Sequence, residues 1–283
     1  MNKVRLNGIS YLLPARWSDI TDRRQFVAIC RALYEFESGR RSFDEFRLDI
    51  TLAVLNLNPT RTHPTDTLYE NLFRISELLD FPYKITENPD GTRTASINIR
   101  LEQNLLQEVG GVTGYRYRTD EAGVVDTDLT AAQYVEMLSI LPLYSRYIRE
   151  GKDIIPILNN AIDILYHGAA DVSDDEKLAI FYNYRGIMAT IAADPDYEII
   201  FHTEPGASGP SPVGPQASIF ALSKAGYGDI EKIRALDVYT YLAALVQQTI
   251  DSIRALASSG MKAGEIASKL RLSAELVAPY VTQ

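Results

Sequence analysis

The sequence predicts a mainly α protein with small β-hairpins (α+β), built as helical lobes behind an N-terminal Asn-Gly hairpin. Three observations carry that prediction. Apolar residues recur at helical spacing through most of the chain, as in Phe26, Ile29, Cys30 and Leu33 or Leu68, Leu72, Ile75 and Leu79. Asn7-Gly8 stands between Lys3-Val-Arg-Leu6 and Ile9-Ser-Tyr-Leu-Leu13, and such a dipeptide supplies the positive φ angles of a tight hairpin turn. Over residues 94–101 the period changes to two, with Ala95, Ile97, Ile99 and Leu101 alternating with Thr94, Ser96, Asn98 and Arg100.

Taken in order, Pro14 ends the first hairpin and Thr21 is the expected N-cap of the first helix, which Gly39 closes. A second helix carries Phe43, Phe46, Ile50, Val54 and Leu57 on one face, and a third follows Pro64. Asn88-Pro-Asp-Gly91 is the turn of a second hairpin. Gly110-Gly111 and Gly114 introduce a tyrosine-rich segment, Tyr115-Arg-Tyr-Arg118, with a loop expected from there to Asp128. Thr130-x-x-Gln133 is a capping box, and further helices are expected over 153–166 and 174–193, the latter stopped by Asp194-Pro195. Residues 203–216 hold three glycines and four prolines and read as a linker or exposed loop. Beyond it, Asp229 opens a short helix, Asp237 caps a longer one, and two short helices end the chain. The expected organisation is therefore a hairpin and helical lobe over 1–108, a second helical lobe over 109–202, the linker, and a C-terminal helical segment over 217–283. Asp19-Ile-Thr21 with Gln25-Phe26-Val27 is echoed by Asp128-Leu-Thr130 with Gln133-Tyr134-Val135, which fits a duplicated unit or reuse of a common helix start.

Composition narrows the function. A hydrophobic share of 46% with 23% charged residues is that of a folding globular chain. The formal charge of −9 repels phosphate backbones and makes nucleic acid an unfavoured partner. Cys30 is the single cysteine, so no internal disulfide forms and a reducing compartment is expected. No segment has the run of about 18 apolar residues of a membrane span, and residues 1–8 lack a signal-peptide core, so cytoplasm is the expected location.

Catalytic and metal chemistry find little support. His63, His167 and His202 are isolated, without the three- or four-residue spacing that places two ligands on one helix face. Cys30 lies in an apolar stripe and reads as a small hydrophobe. Gly206-Ala-Ser208-Gly209 falls one residue short of a nucleophile elbow, and Gly110-Gly-Val-Thr-Gly114 lacks the Lys-Ser/Thr of a phosphate loop. Asp174-Asp175 and Asp194/Asp196 flank helix ends, where they complement the helix dipole. No enzyme, cofactor or metal is expected.

The tyrosines point to surfaces. There are 17 tyrosines against 9 phenylalanines, and tyrosine is favoured where an apolar surface meets both water and a partner. Tyr144, Tyr147, Tyr182, Tyr184, Tyr239 and Tyr241 lie near apolar stripes, with half-buried core edges expected for most of them. Near the C-terminus, residues 259–277 place a small residue, a leucine pair and a valine as a helix-turn-helix does, over about 20 residues. Its second helix, expected over 274–280 and interrupted by Pro279, offers Glu275 and no donor able to read base edges.

Two regions carry a family resemblance. Val4-Arg-Leu-Asn-Gly-Ile-Ser-Tyr-Leu-Leu-Pro14 through Trp17-Ser-Asp-Ile-Thr21 and Gln25-Phe26, and Ser223-Lys-Ala-Gly-Tyr-Gly-Asp229-Ile-Glu-Lys-Ile through Asp237-Val-Tyr-Thr-Tyr-Leu242, together cover about a quarter of the chain. In these the sequence resembles tail-assembly chaperones and related tail-morphogenesis proteins of long-tailed bacteriophages and prophages. The resemblance implies binding of the aggregation-prone tape-measure protein, or of other tail proteins, in the host bacterial cytoplasm. It implies equally a structural component of the tail or virion. The chain is longer than such chaperones often are, and its middle lobe has no counterpart among them. Tyr227, Ile230, Ile233, Tyr239, Tyr241, Leu242 and Leu245 are the residues the sequence assigns to protein binding. A homo-oligomer and, through residues 265–280, a DNA-binding regulator stand as alternatives.

Overall fold

A computed structural model describes residues 2–6, 8–57, 66–166, 171–201 and 216–281. Asn7, His63, Pro64, His167, His202 and residues 203–215 lie outside the described residues, and with them the nucleophile-elbow motif and nearly all of the expected linker. The fold is mainly α with small two-stranded antiparallel sheets, as the sequence predicts. In chain order the elements are β1 (Asn2–Leu6), β2 (Ile9–Leu13), α1 (Arg23–Glu37), α2 (Phe43–Val54), α3 (Asp66–Ser76), β3 (Tyr83–Glu87) and β4 (Arg93–Ile97). Next come β5 (Glu108–Val109), β6 (Val112–Thr113), β7 (Tyr117–Thr119), β8 (Val125–Thr127), α4 (Ala131–Arg149), α5 (Ile155–Tyr166) and α6 (Asp174–Ala192). The chain ends with α7 (Glu198–Phe201), α8 (Ala217–Lys224), α9 (Ile230–Arg234), α10 (Val238–Ser258), α11 (Ala263–Leu270) and α12 (Ala274–Val281). The chain divides into two compact units, Met1–Val125 with Ile140–Ala189, and Asp126–Ser139 with Thr190–Gln283.

Local chemistry sets most boundaries. Asp22, not Thr21, caps α1: its carboxylate accepts from the backbone N–H of Arg24 at 2.7 Å and of Gln25 at 3.2 Å. Thr21 stands one residue too early for that reach. Ser42 and Glu45 close a reciprocal capping box on α2. The tyrosine-rich segment and the loop expected from Arg118 to Asp128 instead hold the β7–β8 hairpin, and Gly110 and Gly111, at φ +59° and +76°, form the turn between β5 and β6. Two adjacent positive-φ residues are what a tight hairpin turn needs.

In the first unit, α1 packs on α2 through Phe26, Ile29, Cys30, Leu33, Phe46 and Ile50, all buried. Trp17 stands edge-on to Phe81 at 5.1 Å and donates its indole N–H to the Asn98 carbonyl at 2.8 Å, which ties the segment after the first hairpin to the one after β4. The middle of α6 is buried on every side: Leu178, Ala179, Ile180, Phe181, Tyr182, Asn183, Tyr184 and Ile187 are all in the core. That is the pattern of a central helix rather than an amphipathic one. The chain crosses it at Gly186, whose carbonyl accepts from the Leu101 N–H at 3.1 Å. A β-carbon there would stand 2.7 Å from Leu101 Cγ, so glycine is what permits the crossing.

In the second unit, Thr130 and Gln133 form the predicted capping box on α4, with Gln133 N–H to Thr130 Oγ1 at 3.2 Å and the return bond at 3.0 Å. Residues 129–131 pair with 236–238 through Ala131 N–H to the Leu236 carbonyl and Val238 N–H to the Leu129 carbonyl, both 2.8 Å. Thr130→Ala should therefore lower the unfolding free energy by about 1 kcal/mol in a denaturant titration, the usual cost of a lost cap. A second cluster, Ile199, Ile253, Ile266, Ala267, Leu272 and Val277, joins α7, the far half of α10, α11 and α12. No helix among the described residues is long and apolar enough to cross a membrane.

Candidate functional site

The predicted protein-binding residues fall on α9, α10 and the loop before them, in the second unit. Asp229 caps α9 by accepting from the Lys232 N–H at 2.9 Å, and Asp237 caps α10 through the Thr240 N–H at 3.0 Å. Gly226, at φ +90°, ends α8 in a left-handed residue, and the Tyr227 N–H then returns to the Leu222 carbonyl at 3.1 Å. This is the Schellman pattern, and it projects the chain at Tyr227 out of the helix path.

The structure splits the seven residues. Ile233, Tyr241 and Leu242 are buried with Ile219, Leu222 and Val238, so they hold α8, α9 and α10 together. The Tyr241 hydroxyl donates to Ser218 Oγ at 2.6 Å, and its ring lies 6.0 Å from that of Tyr134. Burial pushes the Tyr134 phenol up to about 12. Tyr239 and Leu245 are half-buried, the former 5.8 Å from the Tyr197 ring. Tyr227 and Ile230 are exposed, by 41% and 36%, and Phe220 on α8, which the sequence did not single out, is exposed by 56%. Isolated exposed apolar residues are ordinary, but here three fall within eleven residues of sequence, 220–230. The missing signal for Phe220 was the helical phase of α8, where Ile219 and Leu222 take the inner face and turn Phe220 outward.

The other candidates are placed as follows. Cys30 is fully buried in the α1–α2 core, and burial pushes its thiol up, away from the reactive thiolate. Gly110 and Gly111 serve a turn. Asp174, Asp175 and Glu176 fill the first turn of α6, and Asp194 caps the short turn at Pro195–Tyr197. Among the described residues no group of three or more His, Cys, Asp or Glu side chains is placed to hold a metal ion.

The C-terminal pair α11–α12 does form a helical corner, turned by Arg271 at φ +59° and closed by the Leu272 N–H to the Ala267 carbonyl at 3.0 Å. Pro279 lies inside α12 and does not interrupt it. A proline late in an eight-residue helix loses little, because few backbone bonds remain to be broken. The exposed residues of α12 are Ala274, Glu275, Ala278 and Pro279, a face with a carboxylate and no side-chain donor for base edges.

The strongest polar constellation was not read from the sequence. In the first unit Glu37, at the end of α1, meets Arg185 of α6 in a two-pronged ion pair, Nη1 to Oε2 at 2.8 Å and Nη2 to Oε1 at 2.9 Å. Glu37 Oε2 also accepts from the Tyr182 hydroxyl at 2.6 Å and the Tyr144 hydroxyl at 3.2 Å. The guanidinium lies over the rings of Tyr182, Tyr144 and Phe181, 5.0 to 5.9 Å from their centroids. Burial pushes the Glu37 carboxyl up, but the hydrogen bonds and charge of Arg185, with the two phenols, outweigh it and hold the carboxyl below its ordinary value. Burial raises both phenols well above theirs. Every group in the cluster is satisfied by another, which suits a structural clamp.

No protein-family model, curated protein or solved structure matches the chain.

Proposed function

We propose that this protein is a non-enzymatic factor of phage tail morphogenesis that binds the tape-measure protein, or another tail protein, through the α8–α9 corner. The observation that carries this reading is the exposure of Phe220, Tyr227 and Ile230 beside the buried contacts that join α8, α9 and α10. The patch overlaps the segment 223–242 that resembles tail-assembly proteins. Such a surface suits the apolar face of an amphipathic helix, which docks through anchors one helical turn apart. Aromatic side chains are effective anchors because they contribute large contact areas at a low entropic cost.

Co-expression tests it. The tape-measure protein of the encoding phage or prophage should remain in the soluble fraction and co-purify with this chain. The double variant Phe220→Ser/Tyr227→Ser should weaken the complex by at least about tenfold, since each anchor removed costs on the order of 1 kcal/mol or more. Both positions are exposed, so thermal unfolding should be unchanged. No complex at micromolar concentration with the tape-measure protein or with tube subunits would sink the proposal.

A further inference from the structure

The first hairpin has one guarded edge and one open edge. β1 and β2 pair in the register Leu6↔Ile9, Val4↔Tyr11 and Asn2↔Leu13, and among the described residues no further strand lies beside the outer edge of either. Folded proteins normally protect such edges with charges, prolines or bulges, because a bare edge pairs with another chain. β1 carries Lys3 and Arg5. β2, Ile-Ser-Tyr-Leu-Leu, carries neither charge nor proline over its five residues, and Pro14 comes only after it. Among the described strands longer than two residues, it is the single one without a charged side chain: β3 has Lys84 and Glu87, β4 Arg93, β7 Arg118 and β8 Asp126. Its side chains are exposed on both faces, Leu12 by 65% and Ile9 by 58%, while Leu13 anchors the ribbon at full burial.

We infer that β2 pairs with β2 of a second copy of this chain, making a four-stranded sheet in the order β1-β2-β2-β1 across a two-fold axis. An antiparallel pair centred on Tyr11 is self-complementary. Tyr11 faces the second copy's Tyr11, Ile9 faces the second copy's Leu13, and Ser10 faces the second copy's Leu12. The seam brings no like charges together, since Lys3 and Arg5 lie on the outer strands. Charge also selects a second copy as the occupant. The hairpin, residues 1–13, carries Lys3 and Arg5 and no acid, a charge of +2, so from the whole-chain −9 the remaining residues carry −11. Each basic arm is drawn to the acidic body of the other copy. Five residues per strand make a seam smaller than a standard stable interface, so the pairing is reversible, with a dissociation constant on the order of tens of micromolar. It does not depend on the tail-protein reading.

Sedimentation equilibrium of the full chain from about 1 µM to about 500 µM tests it. The mass should rise from the 31.6 kDa of one chain toward twice that value. Leu12→Lys puts a charge on the seam without touching the core and should raise the dissociation constant at least about tenfold. Val124→Lys, at an equally exposed position of another hairpin, should leave it unchanged. Tyr11→Cys should give a disulfide-linked dimer on mild oxidation, and Ser10→Cys much less, because only position 11 faces itself; the native Cys30 is buried and does not compete. A single-chain mass at the top concentration overturns the inference, as does a dimer that Leu12→Lys leaves intact. A wild-type chain that stays monomeric but binds phosphatidylserine vesicles through Leu12 would assign the ribbon to a lipid surface and overturn it equally.

Discussion

Arg185→Met is expected to lower the stability of the first unit by about 3 kcal/mol at neutral pH, measured by urea unfolding. The replacement keeps much of the stem that packs against Phe181, Tyr144 and Tyr182, and removes the charge. What remains is a carboxylate at Glu37 facing two phenols, without the cation that offsets its desolvation. About a quarter of each side chain of the pair is exposed, which places the cost at the low end of the range for breaking a buried ion pair. The pH dependence follows from the direction of the shift. In the folded chain Glu37 is held below its ordinary value near 4.5, so its contribution is fully present above that value and is lost as pH falls through the folded value. In Arg185→Met only the two phenol hydrogen bonds are left to oppose burial, so the carboxyl moves up and the stability its charged form contributes falls. The stability gap between the two proteins should be widest near neutrality and narrow as pH falls below about 4.5. A gap that is flat with pH would show that the loss is one of packing.

Gly114→Ala is the second large effect, about 3 kcal/mol of destabilisation from one added methyl. A β-carbon at this position would lie 2.3 to 2.6 Å from three atoms of the Tyr166 ring, far inside contact distance. The ring cannot swing away cheaply, because Tyr166 is buried and its hydroxyl is fixed to the Leu106 carbonyl at 2.6 Å. Gly114 lies outside the positive-φ region, so sterics and not backbone conformation make the requirement. A double-mutant cycle separates the two. Tyr166→Leu alone should destabilise through lost packing and the lost hydrogen bond, but in that background Gly114→Ala should cost less than about 1 kcal/mol. Purely additive effects would place the strain elsewhere.

Both sites join residues that no local rule connects. Capping residues, turn glycines and helical phases act over four or five positions. Ser42-x-x-Glu45, Thr130-x-x-Gln133, Asp229, Asp237 and the Gly110-Gly111 turn could therefore be recognised or reconstructed from neighbours alone. The Glu37–Arg185 pair spans 148 residues, and no spacing rule connects such positions. The tyrosines make the same point. Half-buried edges were expected for most of Tyr144, Tyr147, Tyr182, Tyr184, Tyr239 and Tyr241, yet Tyr144, Tyr182, Tyr184 and Tyr241 are fully buried, because a stripe fixes the direction of a side chain and not what covers it. α6 gains cover on all sides from segments far away in sequence, among them the crossing at Gly186. In the second unit, packing among α8, α9 and α10 buries Ile233, Tyr241 and Leu242 and leaves Phe220, Tyr227 and Ile230 at the surface.

The class of fold, most helix starts and most hairpin turns follow from the order of residues alone, since each depends on backbone groups satisfied within a few positions. Which side chains of an apolar stripe are core and which are surface is settled by packing in three dimensions. Burial depends on the partner that arrives, and the chain closes those contacts over distances where local periodicity carries no information.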